Sequence, residues 1–486
     1  MEAVLWAIVL VYLLVVLGIG VWSRRFIKTP EDYFLAGRRL GVIPAAATLA
    51  ATHYGGGFIL GGASWGVKYG LGGFWYGFAC GLGLLLLGFT FAKLARILAL
   101  HTVPEILKMR YRSYLVQATS ALLSLLALIG VFSAQVLATS AVFEAMGLPG
   151  FWGSILATVV LVAYTAISGL WAVTLTDIAQ LTLGTIGVVV ATSLILTLVG
   201  GFTGIESKLH ELYATGVVNS PPSEYFNVFS PGLAIITLTL VSTVMYTLIG
   251  QDFYKKIFAS RDEKTAVKAS ILSGIVLMAV SFIPPIAGMA SLVHSQNPRE
   301  VVTSPETAIP RLILDTLGPV IGGVFLAAIL AAIMSTADSL LLAATSHVIR
   351  DFYCKFNPKI TDKQVLRLSA LTMVTIGLFS LTTALTVEDI IELLVYSYDI
   401  YTSGVFMPLV LSLTWRRASK EGVIAGMVTG SATSLISILG FIPLEIYELI
   451  YVLSALISLV VMVVVSLVTK PTKPEEHLAK LLKWTY

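Results

Sequence analysis

Long apolar runs alternate with short polar connections along almost the whole chain. Thirteen apolar segments stand out, at about 3–22, 41–65, 71–98, 115–146, 150–169, 175–200, 231–252, 269–293, 317–348, 368–387, 390–414, 422–442 and 446–469. A helix rises about 1.5 Å per residue, so roughly 20 apolar residues cross a hydrocarbon core about 30 Å thick. Lipid offers backbone N–H and C=O groups no partner, and the segments show no strand-like alternation, so each is predicted to be a helix. The pattern therefore predicts an all-α polytopic membrane protein with 13 transmembrane helices. They form one transmembrane domain over 1–470, followed by a short cytoplasmic tail, 471–486. In that tail Lys480 and Lys483 flank Leu481 and Leu482 beside Trp484, the composition of a short helix lying on the membrane surface. The longest outside connection, 201–230, carries Asn219-Ser220-Pro221-Pro222 and is predicted to be a polar loop with a short helix. The first segment opens Met1-Glu2-Ala3 with no basic stretch before it and no small-residue cleavage site after it. A retained first span is expected, not a signal peptide.

Charge orients the segments. Of the 31 lysines and arginines, all but Lys68, Lys208, Arg299 and Arg311 fall in alternate connections, beginning with 24–39. Basic residues collect on the cytoplasmic side. The amino terminus is thus expected outside, the carboxyl terminus inside, and the chain in the cell membrane as a multi-pass protein. Composition agrees: 57% of residues are hydrophobic and 12% charged, where soluble domains carry roughly 25% charge. The net charge of +4 is spread between apolar segments and gives no nucleic-acid-binding face. Cys80 lies in an apolar segment and Cys354 in a basic loop, so no disulfide framework is implied.

Polar residues inside spans cost free energy unless they pair or line a cavity. The set is small: His53, Asp177, Asp252, Asp338, Glu392 and Asp399, with no lysine or arginine expected at mid-span. Segment two contains Ala51-Thr52-His53-Tyr54-Gly55-Gly56-Gly57-Phe58. Three glycines, each about 1 kcal/mol worse than alanine in a helix, point to a broken helix that exposes carbonyl oxygens; close helix packing through small residues is the alternative. In segment nine, Ala332, Ser335, Thr336 and Ser339 share one helical face. Hydroxyls facing carbonyls of a broken helix make the all-oxygen cage that a hard cation such as sodium prefers, although Ser and Thr also bond back to their own helix. Asp177, at the start of segment six, has two readings: a helix N-cap at the cytoplasmic surface, or an ion-binding group.

The chain resembles the solute:sodium symporters. Asp32-Tyr33-Phe34-Leu35-Ala36-Gly37-Arg38-Arg39 looks like that family's motif after its first span. Ala332-Ile333-Met334-Ser335-Thr336 is similar to its sodium-site helix, and Trp415-Arg416-Arg417-Ala418 to its WKR-type loop. Gly250-Gln251 followed by Phe258-Ala259-Ser260-Arg261 resembles another family stretch. The resemblance implies a leucine-transporter-type fold of two inverted five-helix repeats, segments 2–6 and 7–11, with peripheral helices. It implies a sodium site on the backbone carbonyls of Ala51, Tyr54 and Ala332 and the hydroxyls of Ser335 and Thr336; a one-residue slip to Thr52 and Gly55 stays open. Asp177 matches an acidic position that helps hold a second sodium in some members, where serines complete the site. This chain instead has Asp338 then Ser339, and these three residues form a candidate second ion or proton site. The substrate is expected beside the breaks of segments two and seven, beneath segment eleven, near His53, Phe58, Gln251, Tyr398, Asp399 and Tyr401.

The function expected from this resemblance is secondary active transport: sodium-coupled uptake of a small polar organic solute such as an amino acid, carboxylate, vitamin or sugar. Sodium is the coupling ion, no cofactor is expected, and the partners are solute, sodium and lipid. A proton-coupled symporter of the same fold is the nearest alternative, with Asp177, Asp338 or Asp399 taking the proton. A proton-translocating subunit of a membrane complex is a second, opposed by the expected lack of mid-span lysine. Six scattered histidines supply no constellation for an enzyme. The side-chain set names neither the solute nor an oligomeric state.

Overall fold

A computed structural model describes residues 2–387, 389–439, 441 and 447–484. Among these there is no strand; one isolated bridge pairs Leu40 with Ser260. The helices that position the site are α1 (Glu2–Ser23), α2 (Val42–His53), α3 (Gly62–Tyr69), α4 (Phe74–Phe89), α5 (Tyr114–Ala145), α6 (Gly150–Leu198), α7 (Leu233–Ile249) and α8 (Gln251–Ala259). They continue as α9 (Glu263–Val280), α10 (Ile283–His294), α11 (Ala308–Ser346), α12 (Asp362–Ala384), α13 (Ile390–Thr414), α14 (Lys420–Ile438) and α15 (Tyr447–Val468). Eight helical stretches among the described residues are long and apolar enough to cross a membrane, or nine if the bent pair α7–α8 is one span. The chain is a multi-pass, all-helical membrane protein. The far end of segment twelve and the first residue of segment thirteen lie outside the described residues.

Local sequence sets the helix starts. Ser113, Asp262, Thr361, Asp389 and Ser419 each accept a backbone N–H from the first turn of α5, α9, α12, α13 and α14. Such caps are worth about 1 kcal/mol each. Segments five and six join in one hydrogen-bonded run, α6, that turns sharply at Gly169 (φ 60°, ψ 174°). Only glycine takes that backbone without strain, and the turn seats Gly169 against the Tyr33 ring. Asp177 therefore lies about two turns inside the second arm of α6, fully buried, which removes the N-cap reading. The polar connection after α6 forms a longer helix than expected, Gly201–Ala214.

Two spans are interrupted in the interior. The first is α2, the turn 54–56, a π-helical turn over Gly57–Gly61, and α3. The second is α7 and α8, bent by 42° at Gly250. The α2 half packs on α6, α9 and α11, while α7 lies against α4 and α13 and α8 against α2 and α11.

The expectation that lysine stays out of the spans is overturned at α8. Lys255 and Lys256, assigned to a cytoplasmic loop from sequence, are buried in the second half of the broken span. Lys255 donates to Leu342 O at 3.1 Å and Ser346 Oγ at 2.6 Å and lies over the Phe34 ring.

The end of α8 is clamped by Arg38 of the 32–39 motif together with Leu40 and Arg96. Arg38 donates to Phe258 O and Leu100 O, each at 3.3 Å, and Leu40 N–H to Ala259 O at 3.1 Å. Arg96 donates to Ser260 O and Arg261 O. Nearby in the 99–102 connection, burial, then Arg350, Arg38 and Lys255, push His101 down to about 3. It is neutral at physiological pH and adds no charge there. Arg110, also fully buried, gathers the carbonyls of Ser412, Trp415, Arg416, Ala418 and Thr472. That single guanidinium orders the Trp415–Ala418 loop against the carboxyl-terminal tail.

Candidate functional site at two helix breaks

At the first break, α2 ends on Tyr54 because three glycines follow and the backbone leaves the helix (Tyr54 ψ 50°). Gly55 N–H turns back to His53 O at 2.8 Å, and Gly56 N–H is received by Gln135 Oε1 of α5 at 2.9 Å. A Cβ on Gly55 would overlap Thr336 Oγ1 and come within 2.6 Å of Gln135 Oε1. Glycine here is a condition of close approach between α2, α5 and α11. Through that approach Thr336 Oγ1 donates to Ala51 O at 2.7 Å, across 285 residues of sequence. Ser335 Oγ donates to Ala332 O at 2.8 Å within α11.

Ala332 and Tyr54 meet on Gly184 of α6: a Cβ there would lie 3.1 Å from Ala332 Cβ and 3.7 Å from the Tyr54 ring. All five residues nominated from sequence for sodium, Ala51, Tyr54, Ala332, Ser335 and Thr336, are buried, and they come from the two elements that meet here. Every atom nominated is a neutral oxygen, the donor chemistry of a hard monovalent cation.

Behind this break sit the residues nominated for a second ion. Asp177 Oδ2 accepts the Thr48 hydroxyl, about one turn before Ala51 on α2. Asp338 Oδ1 accepts Thr165 Oγ1 at 2.6 Å, and Ser339 Oγ donates to Ser335 O at 3.1 Å. These contacts do not join the three to one another.

The second break is built differently. Tyr401 of α13 donates to Ile249 O at 3.1 Å and Tyr254 to Leu248 O at 2.9 Å. Two of the carbonyls that end α7 are thus occupied by phenols. Asp252, in the first turn of α8, takes the Tyr246 hydroxyl at 3.3 Å.

Between the breaks lies a cavity of about 10 Å3, lined by Thr52, His53, Gln135, Tyr246, Asp252 and Tyr398 among others. It holds about one water molecule, so admitting an organic solute requires the helices to part. His53 Nε2 bonds Thr247 Oγ1 at 2.9 Å and its ring lies 4.4 Å from Phe253. Tyr398 stacks on Tyr246 at 4.1 Å, with its hydroxyl 3.4 Å from that of Tyr76. A larger cavity, about 410 Å3, opens beside the end of α10 and is lined by His294, Glu300, Arg311 and Asp315; it touches neither break.

Of the six residues nominated for substrate, His53 and Tyr398 line the central cavity. Phe58 packs on the Tyr54 ring instead, and Tyr401 is spent on Ile249 O. Gln251 binds backbone, accepting from Val103 N–H at 2.8 Å and donating to His101 O at 2.9 Å. Asp399 accepts Ser403 Oγ at 2.5 Å within α13 and is not among the lining residues. Gln135, Tyr76 and Tyr246 were not singled out from sequence. Gln135 carried the available signal, an amide in the middle of an apolar segment.

A family model described as the sodium:solute symporter family matches residues 33–430. Among curated proteins, the sodium/pantothenate symporter of Escherichia coli strain K12 is 30% identical over 451 residues, covering 89% of this chain and 91% of that protein. Sodium/glucose cotransporter 4 of Danio rerio is 27% identical, covering 90% and 72%. The osmoregulated proline transporter of Bacillus subtilis strain 168 is 27% identical, covering 88% and 87%. Among solved structures, a substrate-bound, outward-open Na+-coupled sialic acid symporter superposes with a TM-score of 0.79 at 20% identity, over 97% of this chain and 99% of that one. A nucleobase-cation-symport-1 family transporter gives 0.60 at 14% identity, over 94% and 100%. Both structures speak to the fold.

Proposed function

Because the chain belongs to the sodium:solute symporter family, we propose that it takes up a small polar organic solute at the cavity between its two helix breaks, driven by sodium bound at the first. Sodium coupling follows from the family, and the proposal adds where the ion and the solute bind. The observation that carries it is the Thr336 hydroxyl on the Ala51 carbonyl, beside Ser335 and the Ala332 carbonyl.

A sodium ion entering there replaces two hydrogen bonds with four oxygen ligands, and Tyr54 O supplies a fifth. The ion then ties α2 to α11, which fixes the half-helix that also carries His53 into the cavity wall. Solute and ion thereby favour the same arrangement, and each raises the affinity for the other by the same factor. The cavity offers an imidazole, an amide, hydroxyls, a carboxylate and two stacked tyrosine faces, a set suited to a compact polar solute with an apolar portion. The pantothenate, glucose and proline named for the relatives are the solute classes to screen first.

The architecture that serves this function is thirteen spans, two inverted repeats over segments 2–6 and 7–11, and a cell-membrane orientation with the amino terminus outside. Single cysteines at exposed Ser207 and Lys420, in a background lacking Cys80 and Cys354, should label from outside and inside respectively. Labelling of both from one side would overturn the orientation. The function itself is tested by thermal stability of purified protein against those solutes, with and without sodium. Stabilisation grows as RT ln(1 + [L]/Kd), so the true solute and sodium should each enhance the other's effect. Solutes that stabilise equally well without sodium would contradict coupling.

A further inference from the structure

We infer that Gln135 of α5 is a positioning residue for sodium: it holds the turn after α2 in the shape that presents the Ala51 and Tyr54 carbonyls to the ion. The inference rests on the sodium site proposed above and deepens it. Each residue of the turn 54–56 has an N–H to place. Tyr54 N–H goes to Ala50 O at 3.0 Å and Gly55 N–H to His53 O at 2.8 Å, both within the segment. Gly56 N–H leaves it, for Gln135 Oε1 at 2.9 Å. Gly55 O is taken by Ile59 N–H at 3.0 Å. These local bonds spend the carbonyls of Ala50, His53 and Gly55, and not those of Ala51 and Tyr54. A buried N–H costs free energy when its acceptor is lost, so the place of Gln135 Oε1 fixes where Gly56 can lie.

The turn is thereby held from two sides. Thr336 of α11 reaches Ala51 O, Gln135 of α5 reaches Gly56 N–H, and α5 packs on α11. Sodium treats the two contacts differently. When the ion enters, the Thr336 hydroxyl becomes a ligand and releases Ala51 O to it, so that contact is exchanged. The Gln135 contact involves no nominated ligand and persists with the ion in place. Gln135 is buried, and its Nε2 donates to Val131 O of its own helix at 3.4 Å, which leaves Oε1 for the turn. Close packing keeps the turn against α5, since a Cβ on Gly56 would overlap that of Ala138. The same glutamine lines the central cavity, so one side chain touches the sodium-bearing turn from the wall where solute is proposed to bind.

The experiment measures equilibrium binding of radioactive sodium to purified protein, with no solute present. Gln135→Leu removes the acceptor, and Gln135→Asn, one methylene shorter, withdraws it from Gly56. Each should raise the half-saturating sodium concentration about tenfold. Gln135→Glu keeps an acceptor oxygen at full reach and should bind sodium at least as well as wild type. Gln251→Leu strands a different buried N–H, that of Val103, and controls for lost stability alone; it should stay within about twofold of wild type. Wild-type sodium affinity in folded Gln135→Leu and Gln135→Asn overturns the inference. So does a Gln135→Glu protein that loses affinity with them, or a Gln251→Leu protein that shifts equally. Should Gln135→Leu not fold, Gln135→Asn decides. Thr336→Ala separates the inference from the reading beneath it. A shift there with none at Gln135 defeats the inference alone; no shift at either defeats the sodium site itself, and the inference with it.

Discussion

The two helix breaks use the same backbone device for different chemistry. At the first, the glycine turn is closed by neutral oxygens, and the Ala51 carbonyl is held only by a threonine hydroxyl that a cation can displace. At the second, Tyr401 and Tyr254 occupy the carbonyls of Ile249 and Leu248, while Asp252 and two buried lysines supply charge. A broken helix is therefore not an ion site by virtue of being broken. What decides is whether the exposed carbonyls stay available, and which side chains fill the gap. The proposal accordingly puts sodium at the first break and solute recognition at the second.

Filling the first break should have the largest effect. Gly55→Val drives a side chain into Thr336 and Gln135, and overpacking of this kind costs up to about 3 kcal/mol, more than a hundredfold in affinity. Sodium-driven uptake into proteoliposomes should fall to background. Gly250, at the second break, has an ordinary extended backbone (φ −64°, ψ 124°), but a Cβ there would lie 2.7 Å from Asp252 Oδ1 and 3.0 Å from Tyr246 O, so Gly250→Ala should lower uptake, though less than Gly55→Val. Equal loss in both variants would erase the distinction between the breaks.

Removing a ligand comes next. Ser335→Ala and Thr336→Ala should each raise the sodium concentration for half-maximal uptake about tenfold, the equivalent of about 1.4 kcal/mol for one lost oxygen. Unchanged sodium dependence in both would remove the sodium assignment. At the second break, Asp252→Asn should weaken solute affinity several-fold through the cavity wall it shares with Tyr246 and Tyr398. The smallest effect on transport belongs to Gln251→Leu. It strands the Val103 N–H and the His101 carbonyl, at about 1–3 kcal/mol of stability, and should lower the melting temperature by a few degrees with solute affinity unchanged.

The first break was legible in the chain because its signal is local. Three glycines inside an apolar run, and hydroxyls at helical spacing on segment nine, carry their meaning without knowledge of their neighbours. The second was not. Gly250-Gln251 before Lys255-Lys256 has the composition of a span running into a cytoplasmic loop, and only the tertiary packing of α8 against α2 and α11 buries those lysines. The same limit explains Gln251. Its position at the break could be read from sequence, but the direction of its side chain depends on partners in 101–103 that are fixed by packing. Asp177 shows the converse: an apparent helix start became an interior residue once Gly169 joined segments five and six into one run.

The central claim, that sodium is held at the first break and not the second, is tested most directly by the sodium half-saturation of purified protein measured without solute. Linkage forces changes in either ligand's apparent affinity when both are present, and omitting solute removes that ambiguity. Thr336→Ala should raise the half-saturating sodium concentration about tenfold, while Asp252→Asn stays within about twofold of wild type. An unmoved Thr336→Ala beside a large shift in Asp252→Asn would contradict the account.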